Sequence, residues 1–154
     1  MKMTAVRLGI YLVTVIVILA IAGTFLASRS AELAIPHSAV AGLAAMREMT
    51  HLAVPYDLAL ANDKPTLVEF YADWCTTCQG MAPILHHLHQ QYGEAVNFVM
   101  LNIDDPQWAE QIDHYQVTGV PKLLFLDADR NVAKTFVGKV PETVLQQVFE
   151  QISA

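Results

Sequence analysis

Apolar and polar positions divide this chain into three stretches with different periods. Residues 8–27 (LGIYLVTVIVILAIAGTFLA) are twenty consecutive positions without a charge. As a helix they would reach about 30 Å, the hydrocarbon thickness of a bilayer. A cleaved secretory signal would carry a shorter apolar region, about 7–15 residues, followed by small residues. Here the run is longer, and Arg29 stands beside the obvious small-residue site. The expectation is an uncleaved N-terminal transmembrane helix within residues 1–29. Residues 30–64 read as a membrane-proximal helical linker. Ser38 would cap a helix running to about Thr50, with Val40, Leu43, Ala44, Met46 and Met49 as its apolar stripe. After Pro55 a short second helix is expected over residues 56–61, then a turn at Asn62-Asp63-Lys64-Pro65.

The third stretch, residues 65–154, alternates between two periods. TLVEFY at 66–71 is apolar enough for a central strand. From Cys75 the period becomes helical, with Met81, Leu85, Leu88 and Tyr92 on one face; Pro83 should kink the helix and Gly93 should end it. A second apolar strand is expected at 96–103. Pro106 then opens a short helix with Trp108, Ile112 and Tyr115 on one side. Strands at 122–126 and 132–137 flank the turn Asp127-Ala128-Asp129-Arg130-Asn131, and a last helix from Pro141-Glu142 buries Val144, Leu145, Val148 and Ile152. Strand, helix, strand, helix, strand, strand, helix is an α/β order. The helical crossover makes the first two strands parallel, the closing pair is an antiparallel hairpin, and a mixed central sheet flanked by helices on both faces follows.

Charge changes the picture in two ways. Of the 154 residues, the part from Ser30 onward holds six Lys+Arg against fifteen Asp+Glu, so nucleic acid is not an expected partner. Around the span, Lys2 and Arg7 precede it, and Arg29 follows with Glu32 close behind. The positive-inside rule then puts the N-terminus in the cytoplasm and the body on the other side. Tyr11 and Phe25 stand near the span's ends, suited to the two interfaces. No Cys, Asp, Glu, Lys, Arg or His lies within residues 8–27, so the span offers an anchor in the bilayer and no group to carry electrons or protons.

The chain's two cysteines lie in Trp74-Cys75-Thr76-Thr77-Cys78, where a strand gives way to a helix. Unpaired N–H groups and a partial positive charge at a helix start stabilise a thiolate. Two cysteines on the first turn are close enough to form a disulfide. Cys75, at the very end, would attack a partner disulfide, and Cys78, one turn in, would resolve the mixed disulfide. Other uses of a CxxC pair fit less well. Zinc needs further ligands, and His86, His87 and His89 begin more than two turns away. Covalent haem needs histidine directly after the second cysteine, where Gln79 stands. A structural disulfide closing so short a loop would stabilise little. Neither a metal nor another cofactor is expected.

Val68-Glu69-Phe70-Tyr71-Ala72-Asp73-Trp74-Cys75-x-x-Cys78, followed in order by Pro83, Thr118-Gly119-Val120-Pro121 and Gly138, resembles the thioredoxin family. The stretches at 59–75 and 97–104 are similar, more narrowly, to its membrane-anchored members from cyanobacteria and plant thylakoids. Plant members of that group are implicated in cytochrome b6f assembly. With the apolar span almost at Met1, a bacterial source is expected rather than a plastid precursor with a transit peptide. The resemblance implies a thioredoxin fold over residues 65–154. It makes Cys75 and Cys78 a redox-active catalytic pair and Val120-Pro121 the cis-proline loop. That loop, with Trp74, would contact an extended substrate. Glu69 takes the place of the buried aspartate behind the cysteines, where a carboxyl of raised pKa exchanges a proton with the resolving thiol. Three positions depart from the typical family pattern. Thr76-Thr77 replaces Gly-Pro, Met100 replaces a lysine near the buried acid, and Tyr71 replaces tryptophan.

These readings combine into a membrane-anchored protein-disulfide oxidoreductase with its domain on the periplasmic or thylakoid-lumen side. Its expected work is reducing client proteins with disulfides, apocytochromes among them. A membrane thiol transporter would be its electron source, because cytoplasmic reductants cannot reach Cys75 there. Two alternatives stay open on sequence: a thiol oxidase running the same chemistry in reverse, and a non-catalytic assembly factor holding clients near Pro121.

Overall fold

The computed structural model of the protein describes residues 39–153. The span expected at residues 8–27 and the cap at Ser38 lie outside them. Among the described residues no helix is long and apolar enough to cross a membrane.

In chain order the elements are α1 (Ala39–Leu52), α2 (Tyr56–Leu60), β1 (Thr66–Tyr71), α3 (Thr76–Tyr92), β2 (Asn97–Asn102), a 3-10 turn (Pro106–Trp108), α4 (Ala109–His114), β3 (Lys122–Leu126), β4 (Val132–Val137) and α5 (Glu142–Ile152). The sheet order is β2-β1-β3-β4. Strand β1 pairs parallel with β2 and antiparallel with β3, and β3–β4 is an antiparallel hairpin. All six residues of β1 are buried, as befits a strand with neighbours on both sides and helices over both faces. Strand β4 is an edge, and five of its six residues are exposed.

Side chains alternate along β1, so one strand serves two cores. Val68 and Phe70 face one side with Ala59, Val99, Leu101, Leu124 and Leu126, covered by Tyr56, Trp108, Ile112 and Tyr115. Leu67 faces the other, among Met81, Leu85, Leu88, Phe98, Leu123, Phe125 and Phe149. The helical period read from Met81, Leu85 and Leu88 is realised, all three being fully buried. On α5, Leu145 and Val148 are buried, while Val144 and Ile152 sit half-buried at the margin. The chief anchor of that helix is a residue the apolar stripe did not include. Phe149 is fully buried and stacks between Tyr92 and Phe98, with ring centroids 5.0 and 5.2 Å away.

Of the segment read as a linker, residues 39–64 are built into this unit. Gly42, Met46 and Met49 recur at i, i+4 and i+7, and that face packs on α3. Met46 and Met49 are each 1% exposed. Gly93 ends α3 as expected, but not through a left-handed turn: its φ is −61°. The reason for glycine there is space, since a Cβ would come within 2.6 Å of the His89 carbonyl oxygen. Gly138 is different. Its φ of +84° requires glycine, and its N–H donates to the Pro121 carbonyl at 2.8 Å, tying the end of β4 to the start of β3.

Lys122, next to Pro121, is a buried cation that closes the end of α4. Its Nζ donates to the carbonyls of Tyr115 at 2.5 Å and Gln116 at 3.0 Å. Replacing it with methionine keeps the stem and strands both carbonyls. Lys122→Met should cost about 1–3 kcal/mol, the penalty for buried polar groups left without partners. Urea unfolding would read this as a lower midpoint at unchanged slope.

Candidate functional site

Strand β1 stops at Tyr71, and after Ala72-Asp73-Trp74 the chain turns into α3 with Cys75 as its N-cap. The cap is a sulfur. Cys75 Sγ accepts the Cys78 N–H at 3.0 Å, one of the donors every helix start leaves without an intrahelical acceptor. Cys75 and Cys78 are joined as a disulfide, with Cα atoms 5.2 Å apart. Both cysteines are buried, Cys78 completely and Cys75 with 5% of its surface exposed, so Cys75 is the outer member of the pair. The Thr76 and Thr77 side chains between them are exposed.

Three further elements close around the pair. The Val120–Pro121 peptide is cis, as the resemblance implies, and Val120 packs against the cluster that holds both cysteines. Trp74 is 65% exposed but not free to swing: its Nε1 donates to Asp104 Oδ2 at 2.9 Å. The Gln79 side-chain amide donates to the Asp73 carbonyl at 2.8 Å, fastening the turn to the first turn of α3. The β2-to-helix loop that brings Asp104 is itself held by its own side chains. Asn102 Oδ1 accepts the Asp104 N–H, and Asp105 Oδ1 accepts that of Gln107, both at 3.0 Å.

Glu69 lies on the same face of β1 as Leu67 and Tyr71, pointing away from solvent. It is 2% exposed. Its register neighbours are Met100 on β2 and Leu123 on β3, so the carboxyl is walled by apolar side chains. Neither carboxyl oxygen has a hydrogen-bond partner. With no donor to stabilise the anion, burial pushes its pKa up to about 8. Along that face Leu67 belongs to the large core and Tyr71 to the cysteine cluster, and Met100 packs against both; Glu69 sits where the two meet. Burial, then Asp73, then Glu69 raise the Tyr71 hydroxyl's pKa.

The structure thus brings Cys75, Cys78, Trp74 and Val120 together at the N-terminus of α3, with Pro121 opening β3 alongside and Glu69 in the sheet. Two residues that sequence reasoning missed are Asp104, which holds Trp74, and Met46, which shares a buried cluster with Tyr71, Ala72, both cysteines and Ala82. The Asn102-x-Asp104-Asp105 spacing signals a turn, but no local pattern links Asp104 to a tryptophan thirty residues earlier. The histidines of α3 serve other ends. His87 Nδ1 pairs with Glu142 of α5 at 2.6 Å, and the His89 ring packs edge-on against Phe98. Among the described residues no three His, Cys, Asp or Glu side chains converge as a metal site would require.

A helix capped by one sulfur of a vicinal pair, beside a cis-proline and in front of a buried acid, defines a class of thiol–disulfide oxidoreductase domain. Comparison with known proteins agrees. The thioredoxin family model matches residues 48–151. The chain is 42% identical over 109 residues to the thioredoxin-like protein HCF164, chloroplastic, of Arabidopsis thaliana, an alignment covering 71% of this chain and 42% of that protein. It is 44% identical over 108 residues to the thiol:disulfide interchange protein TxlA of Synechococcus elongatus, covering 70% of this chain and 55% of that one. The chain therefore spans about half the length, or less, of these two relatives. Mitochondrial thioredoxin 3 of Saccharomyces cerevisiae in its oxidised form superposes with a TM-score of 0.52 at 27% identity, over 62% of this chain and 84% of that structure. This protein belongs to the thioredoxin family.

The unpartnered acid has a consequence for stability. Between pH 4.5, where Glu69 ionises in the unfolded chain, and about 8, where it ionises in the folded one, the folded state holds the extra proton. Stability falls with rising pH across that window and levels off above it. Glu69→Gln removes the slope. The variant should gain on the parent by a few kcal/mol, a rough conversion of the shift, at pH 8–9, and lose that advantage near pH 4–5. Equal gains at both ends would mean the acid is not held neutral by burial.

Proposed function

We propose that this protein is a membrane-anchored thiol–disulfide oxidoreductase. In this reading it reduces disulfides in client proteins outside the cytoplasm, apocytochromes among them, in support of cytochrome or photosynthetic complex assembly. The observation that carries the exchange chemistry is the Cys75 sulfur, seated as the α3 N-cap with the Cys78 N–H directed at it. The same hydrogen bond stabilises a Cys75 thiolate once the pair is reduced. That thiolate attacks a client disulfide. One client sulfur bonds to Cys75 and the other leaves as a thiolate. Cys78 loses its proton and attacks Cys75, which re-forms the Cys75–Cys78 disulfide and releases the client dithiol. Glu69 is the buried base for that proton, able to take it because its own pKa is raised close to that of a thiol. Trp74, Val120 and Pro121 form the surface on which the client segment lies.

The apolar span at residues 8–27 and its flanking charges support the anchor and the orientation, with the N-terminus cytoplasmic and the domain on the periplasmic or lumenal side. The relatives' names, one chloroplastic and one a thiol:disulfide interchange protein of a Synechococcus, support thiol–disulfide exchange in a photosynthetic setting. Each turnover leaves Cys75–Cys78 oxidised, and the span has no thiol. A membrane thiol transporter that exchanges disulfides directly with Cys75 therefore supplies the electrons, and the shared membrane raises the effective concentration of the two partners.

Acid quenching and alkylation of intact membranes tests both role and direction. Cys78→Ser should accumulate mixed disulfides with clients and Cys75→Ser should give few. The wild-type pair should be mostly reduced, and should turn oxidised when the transporter is deleted. More adducts from Cys75→Ser would reverse the roles, and a pair that is mostly disulfide in wild-type membranes would point to an oxidase.

A further inference from the structure

Helix α1 does more than complete the fold. It packs along α3 over the turns that follow the disulfide. A close approach is made at Gly42, which is buried: a Cβ built there would overlap the Gln79 carbonyl, with the carbonyl carbon only 2.9 Å away. Both obstacles are backbone atoms of a helix, so neither can move aside as a side chain would. One turn later Met46, 1% exposed, enters the cluster formed by Tyr71, Ala72, Cys75, Cys78 and Ala82, and Leu43 and Ala45 pack against that cluster. Cys78 is fully buried within it. The polar groups that act on the Tyr71 hydroxyl of this cluster are Asp73, Glu69 from β1, Asn102 from β2 and Asp105 from the loop after it.

We infer that α1 is a positioning element for the resolving step, sealing Cys78 from water through Gly42 and Met46 and so slowing release of the client. The inference rests on the exchange reading above and deepens it. A thiol in a dry, apolar cluster ionises reluctantly, because its thiolate would lose hydration. Cys78 must ionise to attack Cys75. The seal therefore holds the mixed disulfide for longer, giving the client time to rearrange before its two thiols are released. Cys75 shares that cluster, but it caps the helix end, where 5% of its surface is exposed and its sulfur holds the Cys78 N–H; the seal is therefore assigned to Cys78, and the attack of Cys75 on an incoming disulfide is expected not to depend on α1.

The test uses the full chain, reduced, and the chromogenic aryl disulfide 5,5′-dithiobis(2-nitrobenzoate). Cys75 thiolate displaces one arylthiolate and forms Cys75–S–S–aryl. Cys78 thiolate then displaces the second and closes the protein disulfide, so the protein loses two electrons and the probe gains them. Stopped-flow absorbance separates the two releases. If α1 seals Cys78, Gly42→Ala and the near-isosteric, water-binding Met46→Gln both speed the second release at pH 7. An apparent tenfold rise in thiolate, tempered by the lower nucleophilicity of a more acidic thiol, amounts to about a threefold gain. Its pH profile shifts to lower pH, the first release is unchanged, and Met46→Leu behaves as wild type. A second release unchanged in rate and pH profile in either folded variant overturns the inference. So do equal changes in both releases. A wild-type chain that frees a single arylthiolate would instead sink the exchange reading itself. Circular dichroism identifies any variant that has not folded, and Met46→Gln, which introduces no steric overlap at the backbone, then carries the decision.

Discussion

The first turn of α3 has N–H groups with no carbonyl to receive them, and one of them is met by a sulfur. Much of the site depends on that substitution of Cys75 Sγ for a conventional cap oxygen. It fixes the side chain of Cys75 at the helix end, places Cys78 one turn deeper, and aims the helix's partial positive charge at the Cys75 sulfur. The sheet is arranged so that this helix end is presented. β1 is the central parallel strand, its C-terminal edge delivers the chain to Cys75, and β3 enters the sheet beside it through the cis Val120–Pro121 peptide.

The two cysteines share one buried cluster but differ in what else borders them. On the Cys75 side stand Trp74, pinned by Asp104, and the half-buried Val120. Cys78 is fully buried in the cluster with Tyr71, Ala72, Ala82 and Met46, and Glu69, on the same face of β1 as Tyr71, has no partner for either oxygen. An unpaired buried carboxyl is costly when ionised, which is why its pKa lies near 8 rather than near 4.5. Met100, in register with Glu69, offers no charge to offset that cost. A buried acid of perturbed pKa gives up stability, which is the mark of a candidate functional group and accords with the proton-acceptor role proposed for Glu69.

Much of this was legible in the sequence because the decisive signals are local. The largely apolar run at 66–71, the switch to a helical period at Cys75 and the 122–126/132–137 hairpin each announce themselves within a few residues, and the observed elements match them closely. Glu69 could be read as buried because Leu67 and Tyr71, its neighbours on one strand face, are apolar. What escaped depends on contacts between distant segments. The packing of α1 needed Gly42 to meet Gln79 and Met46 to meet the cysteine cluster, and an amphipathic stripe says only that a face is buried, not against what. Asp104 looked like a turn residue and is one, yet its carboxylate also orients Trp74. Phe149 escaped because the stripe through Val144, Leu145, Val148 and Ile152 already satisfied the period; its role depends on where Tyr92 and Phe98 lie.

The account turns on Glu69 serving as the proton acceptor for disulfide exchange at Cys75 and Cys78. The most direct measurement is the rate of exchange with a protein disulfide from pH 6 to 9, in wild type and in Glu69→Gln. The wild-type profile should bend near pH 8, where Glu69 titrates, and Glu69→Gln should be slower and lose that bend while keeping the one that belongs to the thiol. Two profiles that superimpose throughout the range would contradict the account.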